Sequence, residues 1–179
     1  MVFQYAINME DIVSLDGGFL NLISNGRKKK ISRFYFMKDK IHCLLAEVLL
    51  RYALWTHYNL EAEQIKFRCT DYGKPYLVDK NYIYFNLSHS CDWVMCVLGD
   101  RPLGIDVEKL KRKDLYLAKS IYSQEEYQYL LNQSQEKMLK SFFKIWTLKE
   151  SYVKYKGQGL SIPFDSFFLE SIKKIYTYM

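Results

Sequence analysis

The sequence predicts an α+β fold, on three observations. Ile41, Leu44, Leu45, Val48, Leu49 and Tyr52 recur at three- and four-residue steps within residues 34–58, the period of an amphipathic helix. Phe142, Phe143, Ile145, Trp146, Leu148, Tyr152 and Val153 repeat that spacing in the second half, and Gly157 and Gly159 stop it. Between these helices, residues 82–88, 93–98 and 104–108 read as three strands with short connections, the pattern of an antiparallel sheet.

The remaining elements follow in order. Val2, Phe3, Tyr5 and Ile7 suggest a first strand, and residues 10–24 a weak helix or two short turns interrupted by Gly17-Gly18. Asn25-Gly26 reads as a turn. The basic cluster Arg27-Lys28-Lys29-Lys30 with Arg33 follows, either a solvated face or a phosphate clamp. Residues 65–68 alternate as a strand, and Tyr72-Gly73-Lys74-Pro75-Tyr76 is a turn. After Glu108 come a basic connector, a short helix over 115–121, and a helix opened by the capping-box pair Ser123 and Glu126. Beyond the second long helix, Phe167, Phe168, Leu169, Ile172, Ile175 and Tyr176 offer one or two closing strands.

Composition narrows the class. The 179 residues contain no apolar run of about 18, so no transmembrane helix is expected, and the first residues lack the basic and apolar regions of a signal peptide. The four cysteines form no Cys-x-x-Cys, which suits reduced, mostly buried thiols in a cytoplasmic protein. His42 and His57 lie alone on a helix and receive no role. A net charge of +6 points to an anionic partner: nucleic acid, a phosphorylated small molecule or an acidic protein.

The chemistry gathers around carboxylates. Asp106 and Glu108 stand two apart in a strand-like run, so both point the same way. Adjacent carboxylates repel unless a cation sits between them, and a hard divalent ion such as magnesium takes oxygen ligands together with phosphates. Glu150 is a third carboxylate. It shares one helical stripe with Trp146 and Lys154, a pattern that by itself describes an amphipathic helix with a surface ion pair. Gly73-Lys74-Pro75 sets a lysine in a constrained turn, and Ser88-His89-Ser90 presents hydroxyls and an imidazole that can donate to phosphate. Taken together these groups suit a metal-bound pyrophosphate.

Gly73-Lys74-Pro75, Phe85-Asn86-Leu87-Ser88-His89-Ser90, Gly104-Ile105-Asp106-Val107-Glu108 and Trp146-x-x-Lys149-Glu150-x-x-x-Lys154-x-x-Gly157-x-Gly159-Leu160 stand in one order. In that order and spacing the chain resembles the 4′-phosphopantetheinyl transferases, in particular the two-lobed, surfactin-synthetase-activating type. The resemblance implies two similar lobes, residues 1–103 and 104–179, each with a long helix on an antiparallel sheet, and an active site between them. It implies transfer of the phosphopantetheine arm of coenzyme A to a serine of an apo acyl or peptidyl carrier protein, as in fatty-acid, polyketide or nonribosomal-peptide synthesis, releasing 3′,5′-ADP. Asp106, Glu108 and Glu150 would hold magnesium, with manganese as the alternative. Glu150 would also be the general base, Lys154 would neutralise the leaving pyrophosphate and could protonate it, and His89 would complete the catalytic set. Ser88, His89 and Lys74 would contact phosphates, Gly73 and Pro75 the adenine, and Arg27 and Lys30 the 3′-phosphate. Ser123 and Glu126 match a family Ser-x-x-Glu and are read as structural.

Carrier proteins of this kind are acidic helical domains, which gives the basic charge a partner, with residues 115–122 as contacts. Members of the two-lobed type continue with more strands than follow here, so an incomplete second lobe is expected. The chain is expected to be a monomer, with association favoured by any uncovered apolar face. A family member that keeps coenzyme A or carrier binding with little activity is one alternative. A basic nucleic-acid-binding module is another, opposed by three carboxylates in the proposed cleft.

Overall fold

The structure is a computed structural model that describes residues 1–12, 18–111 and 116–169. Five strands lie in the first part: β1 (Val2–Asn8), β2 (Phe67–Cys69), β3 (Pro75–Leu77), β4 (Tyr84–Ser90) and β5 (Trp93–Gly99). β1, β5 and β4 form an antiparallel sheet in that order, with Val2 opposite Gly99 and Ser90 opposite Trp93. β2 and β3 form a separate antiparallel pair. The helices are α1 (Gly18–Asn21), α2 (Asn25–Arg33), α3 (Met37–Tyr58), α4 (Tyr116–Ile121), α5 (Gln124–Leu131) and α6 (Gln135–Lys156). The α+β class and both long helices agree with the sequence.

Two separate apolar cores follow from the patterning. Leu50, Ala53 and Leu54 of α3 pack on Phe85, Cys96 and Leu98 of the sheet and on Leu77 of β3. Leu45, Ala46 and Val94 extend this contact towards the start of the helix. In the second half Ala118, Tyr122, Leu130, Phe142, Phe143 and Ile145 make an all-helical core from α4, α5 and α6. Each of these side chains is less than 9% exposed, and the Leu, Ile, Val and Phe among them contribute roughly 1.5–3 kcal/mol of burial apiece.

Local chemistry sets the helix ends. Ser24 accepts from the Arg27 N–H and caps α2, so Asn25-Gly26 opens a helix rather than making a turn, and the basic cluster rides on that helix. The capping box of α5 is complete, with Ser123 and Glu126 bonding each other's backbone N–H groups. α6 begins at Gln135, earlier than its apolar stripe suggests, and ends at Gly157, whose φ of 74° is the left-handed cap that glycine adopts without strain.

Residues 104–108 differ from expectation. They are not a strand. Their backbone is held by side chains of β4: Asn86 Oδ1 accepts from the Ile105 N–H (2.9 Å), Ser88 Oγ from the Val107 N–H (3.3 Å) and Ser90 Oγ from the Lys109 N–H (3.1 Å). The period of two survives, because alternate donors meet alternate side chains on one face of a strand. A backbone ladder is replaced by side-chain acceptors. At the end of the described chain, residues 164–166 form a 3-10 turn and 167–169 no strand, while residues 170–179 and Leu115 lie outside the described residues. None of the four cysteines is in a disulfide, and only Cys43 and Cys96 are buried; Cys69 is exposed. No helix among the described residues is long and apolar enough to cross a membrane.

Candidate active site

The site forms where residues 104–108 pass between β4 and α6. Gly104 permits the approach: a Cβ there would lie 2.0 Å from the Ser151 carbonyl oxygen and 2.5 Å from the Tyr155 nitrogen. Two residues on, Lys154 Nζ donates to Asp106 Oδ1 (2.6 Å) and to Ser88 Oγ (3.0 Å), and Ser88 Oγ donates to the same Asp106 oxygen (2.8 Å). The Asp106 side chain is only 5% exposed. Ser90 Oγ donates to Glu108 Oε2 (3.0 Å), so each carboxylate is braced by a serine of β4. Glu150 stands one helical turn before Lys154, and both line a cavity of about 280 Å³ with Gly73, Lys74, Pro75, Asn86 and Gly157. A neighbouring cavity of about 560 Å³ shares Gly73 and Pro75 with it and carries Arg27, Lys30, Lys66 and Arg68. The structure thus brings together Glu150, Lys154, Gly73 and Pro75 on one wall, and Asp106, Ser88 and Lys154 in one contact.

Two predicted phosphate ligands are occupied otherwise. Lys74 Nζ donates to the carbonyl oxygens of Lys154 (2.5 Å), Tyr155 (3.1 Å) and Leu103 (3.3 Å). An ammonium has three protons and all three are used, so Lys74 is a cap for the carboxyl end of α6 rather than an open phosphate ligand. Burial lowers its pKa. Arg27 is also engaged: its Nε donates to Glu47 Oε2 (2.9 Å) and Nη1 to Cys43 Sγ (3.4 Å). Glu47 is 1% exposed and pairs with Arg51 as well, so the trio retains one net positive charge. Lys30 is exposed, with its side chain at the cavity.

His89 stacks on His42, with ring centroids 4.5 Å apart at 16°. His42 in turn bonds the Cys91 carbonyl through Nε2 (2.6 Å). Desolvation, then the proximity of His42 and Lys154, lowers the pKa of His89 and favours its neutral imidazole. His42 therefore has a part that the sequence did not reveal, as a stacking platform. Lys66 and Arg68 were missed too; two basic residues alternating into one strand were the available signal. Trp146 packs on Phe164, as an anchoring residue should. Beside it Lys149 is completely buried, pairing with Glu126 (2.7 Å) and donating to the carbonyls of Phe164 and Phe167 (2.6 Å each).

The carboxylates suit a hard divalent cation by their chemistry. Asp106 Oδ2 is buried with no hydrogen-bond partner, a costly state that an ion would relieve. They do not stand as a ready cage. Among the described residues no three Asp, Glu, His or Cys side chains are gathered closely enough to hold an ion. At Asp106 the Lys154 ammonium supplies positive charge.

Two family models together cover most of the chain. Residues 17–99 match the 4′-phosphopantetheinyl transferase N-terminal family and residues 102–176 the 4′-phosphopantetheinyl transferase superfamily. The chain belongs to the 4′-phosphopantetheinyl transferase superfamily. Within it the similarity is to Sfp-like members. The chain is 38% identical over 165 residues to the 4′-phosphopantetheinyl transferase Sfp of Bacillus subtilis, covering 91% of this chain and 74% of that protein. It is 38% identical over 148 residues to gsp of Aneurinibacillus migulanus (83% of this chain, 62% of the relative). It is 34% identical over 145 residues to HetI of a Nostoc species (78% and 61%). The chain thus spans about two thirds of the length of these relatives.

Proposed function

We propose that this protein moves the 4′-phosphopantetheine arm of coenzyme A onto a serine hydroxyl of an apo carrier protein in the cytoplasm, in a cleft between lobes 1–103 and 104–179. The observation that carries this reading is the junction of α6 with β4, where Asp106, Ser88 and Lys154 meet beside the cavity that Glu150 shares with Gly73 and Pro75. The backbone of Gly73 and Pro75 receives the adenine. Lys30, with Arg27, Lys66 and Arg68 behind it, supplies the positive field for the 3′-phosphate. His89 donates to a phosphate oxygen as a neutral imidazole. Asp106, Glu108 and Glu150 would hold magnesium or manganese, which when bound neutralises charge on the pyrophosphate.

Glu150 takes the proton from the incoming serine, whose oxygen attacks the phosphorus bearing the pantetheine. The bond from that phosphorus to the bridging oxygen breaks, and 3′,5′-ADP leaves with the electron pair. Lys154 stabilises the charge on the departing oxygen. Ser88 acts as a positioning residue, since its proton is given to Asp106. The carrier is an acidic helical domain drawn by the basic surface. The test is incubation with coenzyme A, magnesium and a panel of apo carriers, read by intact mass. The wild-type protein adds the pantetheine mass to at least one carrier, whereas Glu150→Gln and Asp106→Ala add none while keeping their fold. Full transfer by both variants would refute the site.

A further inference from the structure

We propose that Lys154 is a placeholder for the cation: in the metal-free protein its ammonium occupies Asp106, and a divalent ion arriving there displaces it into the cleft. The inference rests on the function proposed above and concerns how that site loads. Asp106 Oδ1 already accepts two hydrogen bonds, from Lys154 (2.6 Å) and Ser88 (2.8 Å). Those two donors use the lone pairs that a metal would need at this oxygen. The other oxygen, Oδ2, is buried without a hydrogen-bond partner. An ion seated there would sit beside the ammonium and be repelled by it.

Of the two partners the lysine is the one that can move. Asp106 belongs to a segment fixed at the Ile105, Val107 and Lys109 N–H groups and packed backbone-to-backbone against α6 at Gly104. The Lys154 side chain is 28% exposed, sits on a flexible four-carbon stem and already lines the cavity with Glu150 and Gly157. Its helix end is held independently by Lys74, so the ammonium can leave without unwinding the backbone.

Displacement has a thermodynamic consequence. Without coenzyme A, the ion must break a charge-assisted contact and leave the ammonium unpaired. With coenzyme A present, the released ammonium meets the pyrophosphate. Metal and coenzyme A therefore tighten each other, and by linkage they do so by the same factor.

The experiment is titration of manganese alone, followed by electron paramagnetic resonance, on the full chain. Lys154→Met is expected to bind manganese about tenfold or more tightly than wild type when coenzyme A is absent, the scale of one hydrogen bond to a charged group. Lys109→Met removes an exposed ammonium that pairs with Asp92 (4.0 Å) rather than Asp106, and should tighten binding less than about twofold, the through-solvent part of the effect. Lysine acylation mapped by mass spectrometry supplies a second reading on unmutated protein: Lys154 becomes more reactive when magnesium is added. Equal tightening in both variants, or manganese affinity and Lys154 reactivity that do not change, overturns the exchange. Wild-type protein that binds no manganese with or without coenzyme A would instead refute the metal part of the proposed function, and the exchange with it.

Discussion

Gly104→Ala tests whether the site depends on one close backbone approach. The added Cβ would sit 2.0 Å from the Ser151 carbonyl oxygen and 2.5 Å from the Tyr155 nitrogen, so segment and helix must separate by roughly 1.5 Å to restore ordinary contact. Neither obstacle is a side chain that can swing aside. Lys154 Nζ and Asp106 Oδ1, now 2.6 Å apart, would move beyond hydrogen-bond range unless the lysine stretched to follow. Overpacking of this kind costs about 1–3 kcal/mol. A displacement near 1 Å in a catalytic arrangement lowers turnover by about 100-fold. The assay has two arms: urea unfolding followed by circular dichroism, and the rate of pantetheine transfer to whichever carrier the wild type accepts. A folded variant with its unfolding midpoint lowered and turnover reduced about 100-fold supports the argument. Wild-type turnover in this variant would refute the claim that the Gly104 contact sets the position of Asp106.

Three further outcomes follow from contacts described above. Lys149→Met leaves Glu126 buried without its cation and should cost about 3–5 kcal/mol in urea unfolding; adding Glu126→Gln should recover a large part of that loss, and a double variant no better than the single would count against the pairing. Lys74→Met removes the donor to the Lys154 and Tyr155 carbonyls, so stability should fall by about 1–3 kcal/mol while calorimetric affinity for coenzyme A changes little; the reverse pattern would return Lys74 to the phosphate site. Burial works to raise the pKa of Glu47, but hydrogen bonds from the Ser24 N–H, Arg27 and Arg51 overcome it and hold the carboxyl below its ordinary 4.5. A depressed carboxyl stabilises the fold above its unfolded pKa and loses that contribution as pH falls through the folded value. Stability should therefore decline below about pH 4.5 in the wild type, whereas Glu47→Gln should be less stable at neutral pH and flatter through the acid range.

What the sequence disclosed and what it withheld divide along the range of the interaction. Helical period, capping boxes and turn residues act within a few positions, so α3, α5, the end of α6 and the β4–β5 pair were legible. The Asn25-Gly26 reading failed at short range for a definable reason: the cap is Ser24, one residue earlier, and its acceptor role outweighs the turn preference of the pair. Residues 104–108 kept the alternation that puts Asp106 and Glu108 on one side, yet the groups that satisfy their N–H donors are serine and asparagine side chains some nineteen residues back. Strand propensity carries no information about that substitution. The cationic residues show the same division most sharply. Lys74, Arg27 and Lys154 all read as available charge, but each ends on carbonyls or a carboxylate far away in sequence, and only the folded chain decides which. Lys154 ends on Asp106, 48 residues away, and this contact joins the carboxylate pair to the helix stripe that the sequence had singled out separately. A buried carboxylate needs positive charge nearby. Lys154, on a movable stem, is the group that supplies it at Asp106, so this contact follows from the same electrostatics by which the lysine is proposed to meet a pyrophosphate.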